Sequence, residues 1–308
     1  MTIQEKAALI TESEHVMTSD YFSFVGADSQ GHLAFAIDNN RYRNRDSYRA
    51  EHTYVVLHDQ QQGWQPVSGR GHYENSNRDL IPIPDSTFFQ FAGQPSTGLT
   101  ITSSINNLTL EIDAIPERVP YGDDDSIFYM GSASAVLTWN ERIIRGRVIY
   151  EYLVKRDFNF MKNLGEFQGL YLLADAASDL YVHRTFMEIV KTMPAVLGFS
   201  VIGGEFEQFG SVQFEATKRV WTPGLYRWPK MWRVAWEGRN GPASLKLELV
   251  THKLIGNWVV AGFSMGIVRG ELSYDGRQIP VYGLAELIMI SRLARTFARF
   301  KSTKSGFG

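Results

Sequence analysis

The chain repeats itself. Phe128-Tyr-Met-Gly131 returns 135 residues later as Phe263-Ser-Met-Gly266, and the match runs on without a gap through Leu137/Leu272, Arg142/Arg277, Ile144/Ile279 and Glu151/Glu286. Two further matches keep the same order. Leu108-Thr-Leu-Glu111 aligns with Leu245-Lys-Leu-Glu248 at an offset of 137. Phe24, Ala27, Asp28, Leu33 and Phe35 align with Tyr171, Ala174, Asp175, Leu180 and Val182 at an offset of 147. Offsets that shrink slowly are the trace of small loop deletions in the second copy. Shared strand alternation accounts for Leu108 and Leu245, but not for Phe-x-Met-Gly followed at equal spacing by Arg and Glu. A duplicated unit has to be a folding unit, so whatever one copy forms the other forms too.

Each copy reads as β-structure. Apolar and polar residues alternate from Thr53 to His58, Leu99 to Thr102, Leu108 to Asp113 and Leu245 to Val250, the pattern of half-buried antiparallel strands. Aromatics make up 13% of the chain and its 27 glycines fall mostly between these runs, as tight turns require. A copy of roughly 125–140 residues has room for about eight or more strands, and a sheet of that size curls and closes to hide its edges. The expected fold is mainly β: two tandem lipocalin-like antiparallel β-barrels, over residues 1–160 and 161–308, with few peripheral helices. Helical periodicity is confined to Gln4 to Glu14, Phe186 to Met193 and Leu287 to Phe300.

Composition narrows the chemistry. With no cysteine, thiolate metal sites, iron–sulfur clusters and cysteine nucleophiles are excluded. The net charge of −2 provides no global field for nucleic acid, so no nucleic-acid partner is expected. No P-loop, dinucleotide fingerprint or HExxH occurs, and no cofactor is indicated. The acidic N-terminus lacks an apolar signal region and no run of about 18 apolar residues exists, so a cytoplasmic location is the expectation. The tail from Ser291 to Gly308 carries five basic residues and no acidic one, which allows peripheral contact with an anionic membrane; a solvated terminus is the plainer alternative.

Each copy ends in a strand of related form, Gly146-Arg-Val-Ile-Tyr-Glu151 and Val281-Tyr-Gly-Leu-Ala-Glu286. With the paired barrels, these strands make the chain resemble the double-lipocalin superfamily of AttH-like proteins, carotenoid 1,2-hydratases and fungal decalin-forming Diels–Alderases. In the hydratases the resemblance implies an acid, a His and a Trp on the corresponding strand. Glu151 matches the acid, whereas Tyr152 stands in place of the His and Val154 in place of the Trp.

Period-two alternation puts Glu151 on one face with Arg147, Ile149 and Leu153, and Val148, Tyr150, Tyr152 and Val154 on the other. A carboxylic acid in a dry barrel has a raised pKa and can serve as a general acid; a structural ion pair is the plainer role, since Glu286 repeats it. Tyr150 and Tyr152 have Ala285 and Leu287 as counterparts, so the first copy alone carries hydroxyl donors there. Glu151, Tyr150 and Tyr152 are therefore the candidate catalytic residues. Trp139, Arg147 and Tyr129, together with Trp232 and Trp236 from a tryptophan-rich segment, are the candidate substrate contacts. No metal is expected, because His52 and His58 would need a third ligand. His183, opposite Ala36 in the alignment, is a further acid–base candidate. Gly262-Phe-Ser-Met-Gly266 fits G-x-S-x-G without its strand–turn–helix setting, so Ser264 is not read as a nucleophile.

These features point to a cofactor-independent cyclase, isomerase or hydratase acting on a hydrophobic polyene, terpenoid or polyketide, held in the first barrel or between barrels. The alternative is a carrier of an apolar ligand without turnover.

Overall fold

The computed structural model describes residues 9–44, 47–69, 72–75, 88–116, 118–157, 166–175, 177–185, 190, 193–221, 227–257 and 261–290. With strands numbered along the chain, one sheet runs edge to edge as β4 (Gly63–Gln65), β3 (Ser47–Asp59), β2 (Gly31–Asn44), β1 (His15–Asp28), β11 (Arg142–Arg156), β10 (Ser126–Trp139), β8 (Leu108–Ile112), β7 (Gly98–Ser103) and β6 (Gln90–Gln94). Beside this path β5 (His72–Asn75) pairs with β3, and β9 (Arg118–Gly122) with β10. The other sheet runs β15 (Glu205–Gln208), β14 (Val196–Ile202), β13 (Ser178–Thr185), β12 (Phe167–Asp175), β20 (Arg277–Ile290), β19 (Ala261–Tyr274), β18 (Gly241–Asn257), β17 (Arg227–Gly238) and β16 (Val212–Trp221). The two paths are the same path. β1 takes the place of β12, β2 of β13, β11 of β20 and β10 of β19, so the duplication forms two curled antiparallel lipocalin-like sheets.

Alternation along these strands builds three large cores among the described residues, beside a small cluster of Ile10, Val16, Ile127 and Val154. Phe22, Phe24, Val148 and Tyr150 point into the curl of the first sheet, and Leu170, Trp228, Trp232 and Ala285 into that of the second. The outward residues meet residues of the other sheet, with Tyr21, Met130, Ile149 and Leu153 packed in one core with Tyr171, Tyr181, Met265 and Leu284. This middle core is pseudo-symmetric. β1 packs on β12; β11 packs on β12 and β13 as β20 packs on β1 and β2. Such a face follows the logic of an isologous dimer interface, in which residues near the axis meet their own counterparts.

Two sequence expectations need correction. Register shifts between Leu173 and Asp175, so Tyr171 pairs with Tyr181 and Leu170 with Val182, while Phe24 pairs with Phe35. Phe24 thus corresponds to Leu170 by its pairing across β2 and to Leu172 by its pairing across β11, both inward residues, and the bulge turns Tyr171 outward into the middle core. The helix expected from Leu287 begins as strand, since Leu287 to Ile290 pair with β19. Leu287 and Met289 fill the second sheet's curl while Ile288 packs on the middle core, and a strand buried on both faces loses its alternation. Leu9 to Thr11 are helical. Residues before 9, most of Phe186 to Met193 and the basic tail lie outside the described residues. Among the described residues no helix is long and apolar enough to cross a membrane.

Candidate active site

The repeated motif faces its own copy across the middle core. Glu151 on β11 lies beside Met130 on β10 and Tyr21 on β1; Glu286 on β20 lies beside Met265 on β19 and Gly169 on β12. Phe128 and Phe263 are buried in the same core. Phe-x-Met-Gly and the later Glu are therefore one module, used twice and assembled face to face.

The two carboxyls share a single phenol. The Tyr171 hydroxyl lies 2.8 Å from Glu151 Oε1 and 3.0 Å from Glu286 Oε2. A phenol has one proton, so it donates to one carboxylate and must accept from the other group, which has to be the protonated acid. Burial above all, then the neighbouring Glu151 and Asp38 carboxylates, holds Glu286 well above the usual carboxylate range. Burial also pushes Glu151 up to about 7, against the pull of hydrogen bonds from Tyr181 and Tyr171. Glu286 is the neutral acid and Glu151 the group poised near neutrality. Glu286 is 6% exposed, and Glu151 is the less completely buried of the two residues.

Tyrosines and a neutral imidazole complete the network. Tyr181, which hydrogen-bonds Glu151, also lies 2.7 Å from His183 Nδ1. Burial lowers the His183 pKa to about 3, so the ring is uncharged, and its Nε2 has no partner. Burial, joined by the neighbouring carboxylates, raises the Tyr21, Tyr171 and Tyr181 hydroxyls, which keeps them protonated. The chain His183, Tyr181, Glu151, Tyr171, Glu286 can pass a proton by shifts along existing hydrogen bonds. A groove of about 640 Å³ opens at the seam between the sheets and borders this core through Leu173 and Tyr282.

The residues expected from sequence are not brought to one place. Glu151 and Arg147 face the middle core, where Arg147 Nε bonds Asp179 Oδ2 on the other sheet at 2.5 Å. Tyr150, Tyr152, Tyr129 and Trp139 belong to the first curl. Trp232 and Trp236 are buried in the second curl. The register slips by one residue in β3 between Tyr54 and His52, so strict alternation fails between His52 and His58. His58 instead lies 3.2 Å from the Tyr282 hydroxyl, and no metal-binding group of side chains occurs among the described residues. Ser264 lies inside β19, as its position opposite Tyr129 in the alignment implied. Sequence reasoning missed Tyr171, Tyr181 and the partnership of Glu286. The repeat contained the signal for Glu286, but an ungapped alignment hides the bulge that turns Tyr171.

No family model matches the chain, and no curated protein does. Solved structures with the same fold include an AttH candidate from Nitrosomonas europaea, with a TM-score of 0.55 and 15% identity over 88% of this chain and 91% of that one. Kievitone hydratase from Nectria haematococca gives a TM-score of 0.56 and 10% identity over 88% of each chain. CghA, solved with Sch210972, gives 0.54 and 12% over 91% of this chain and 89% of that one. The chain is similar to these proteins in fold, as the double-lipocalin resemblance implies.

Proposed function

We propose that the protein is a cofactor-independent enzyme that hydrates, isomerises or cyclises a hydrophobic polyene, terpenoid or polyketide by general acid–base catalysis between the two sheets. The observation that carries this reading is the pair of carboxyls on one buried phenol, with the half-buried member poised near pH 7. Protonated Glu151 gives its proton to an oxygen or double bond of the substrate. The Glu151 carboxylate that remains is held by hydrogen bonds from Tyr171 and Tyr181 while Glu286 stays the neutral acid, and Glu151 takes back the proton that the product or an added water releases. The apolar walls of the middle core suit a substrate with few polar groups, and the surrounding burial strengthens each charge-assisted step. The seam groove offers a route in, about 13 Å along β20 from Tyr282 to Glu286. Shared fold with a hydratase supports the same class of chemistry.

The test is turnover. Purified protein incubated with candidate polyenes, terpenoids and polyketides is expected to give isobaric or water-shifted products by mass spectrometry. Glu151→Gln should slow formation by about 10²-fold or more. With protonated Glu151 as the acid, the wild-type rate falls as pH rises through about 7. Ligand bound and released unchanged by wild type and variant alike would identify a carrier instead.

A further inference from the structure

On the opposite face of β11 from Glu151, the curl of the first sheet holds a polar layer in an otherwise apolar interior. Asp20 on β1 and Arg41 on β2 form a buried ion pair, and the Tyr150 hydroxyl donates to Asp20. Asp20 is thereby bonded through both of its carboxylate oxygens. Beside them, the Thr18 hydroxyl and both ends of the Asn39 amide have no hydrogen-bond partner, although Thr18 is 1% and Asn39 0% exposed. Thr18 lies opposite Arg41, and Asn39 opposite Asp20, so their side chains share the inward face.

Rings flank the layer. Phe22 stacks on Tyr150 at 4.8 Å, and Tyr129 lies 4.9 Å from Tyr152. Tyr129 and Tyr152 are half-buried and pack on Ile10, Val16, Ile127 and Val154 at this end of the curl. The fold does not require such a layer. In the second copy the positions of Tyr150, Tyr152 and Tyr129 hold Ala285, Leu287 and Ser264, and Trp228 and Trp232 fill the space. A buried amide left unpaired on both its donor and its acceptor side destabilises the free protein, and is relieved by a bound group that accepts and donates together.

We propose that this layer is a second ligand site, separate from the carboxyl pair, which takes a flat, neutral molecule through a head group that both donates and accepts hydrogen bonds, as a carboxamide does. Neutrality follows from the charges, because Arg41 and Asp20 balance each other and leave no counter-charge for an ion. Flatness follows from the rings. The Thr18 hydroxyl gives the head group a third contact, and the apolar body lies along Phe22 and the tyrosines.

Calorimetric titration of the full chain with three probes of one ring system tests this: 2-naphthamide, 2-naphthoate and 2-methylnaphthalene. 2-Naphthamide should bind about tenfold or more tighter than either of the others. Asn39→Leu and Thr18→Val should each bring it down to the level of 2-methylnaphthalene without lowering the melting temperature, since each removes an unpaired group. Glu151→Gln should leave its affinity unchanged. Equal binding of the three probes, no binding of 2-naphthamide, or a preference that survives both inward substitutions overturns the proposal. So does loss of binding in Glu151→Gln, which would move the probe to the middle core. A fall in melting temperature in both inward variants assigns the layer to water-mediated structure and overturns it as well.

Discussion

A phenol between two carboxyls fixes their charge: with one hydroxyl proton on Tyr171, Glu151 and Glu286 cannot both be ionised without leaving an oxygen facing an oxygen. The arrangement has a stability consequence that can be measured. Glu151 titrates near 7 in the folded protein, against about 4.5 unfolded, because burial disfavours its charge. A pKa raised by folding means stability that is full below pH 4.5 and lost as pH rises through 7. Glu151→Gln removes this loss, so the variant should be more stable than wild type at pH 8, by as much as about 3 kcal/mol and less to the extent that water reaches the half-buried group. At pH 4 the two should melt alike. Thermal melts from pH 4 to 8 check this, and a variant less stable than wild type at pH 8 would contradict the assigned ionisation. Glu151 was legible in the sequence because it recurs as Glu286, yet recurrence itself suggested a structural role. The packing of the copies lets a residue meet its own counterpart, and that meeting is what supports the acid–base role proposed for Glu151.

The hairpins show how the copies diverge at the level of elements. β10 turns into β11 through Asn140 and Glu141, with φ of 47° and 67°, and β19 into β20 through Asp275 and Gly276, with φ of 50° and 68°. Both are two-residue turns whose central residues need positive φ, a conformation that glycine adopts freely and glutamate does not. Glu141→Gly should therefore stabilise the protein by about 1 kcal/mol, readable as a shift in the urea midpoint at constant slope. A shift to lower urea would show that Glu141 makes a contact worth more than its strain. Close approach also constrains the strands. A Cβ on Gly146 would lie 2.2 Å from the Val25 carbonyl oxygen, and one on Gly283 2.0 Å from that of Tyr171. Strands that bury one face, such as Leu99–Thr102 and Leu108–Asp113, were legible from alternation. The end of β20 was not, because a strand covered on both sides presents the continuous apolar run of a buried helix.

At the scale of the molecule, the pseudo-twofold axis between the sheets repeats contacts without repeating their chemistry. Arg147 on β11 pairs with Asp179 on β13; the aligned positions in the other direction are Tyr282 on β20 and His32 on β2, and there the rings stack at 4.4 Å. One junction is ionic and the other aromatic at the same place in the architecture. Sequence indicated the divergence of Arg147 from Tyr282, but not its partner, which lies on another sheet. Asp179 is fully buried, and burial raises it to about 6 even though Arg147 pulls the other way. Removing the guanidinium in Arg147→Met leaves an unpaired buried carboxylate at pH 8, a loss of about 3–5 kcal/mol. Without the guanidinium that lowers it the carboxyl titrates higher than it does beside Arg147, so at pH 5 it is protonated, needs no counter-charge, and the loss shrinks toward that of the hydrogen bonds to Ser132 and Ser134. The urea midpoint of Arg147→Met should thus fall far more at pH 8 than at pH 5. Adding Asp179→Asn should recover most of the difference at pH 8, because the double variant holds no buried charge. Equal losses at the two pH values would mean that the junction is held by packing alone, and that the ionic pair does not couple the two sheets.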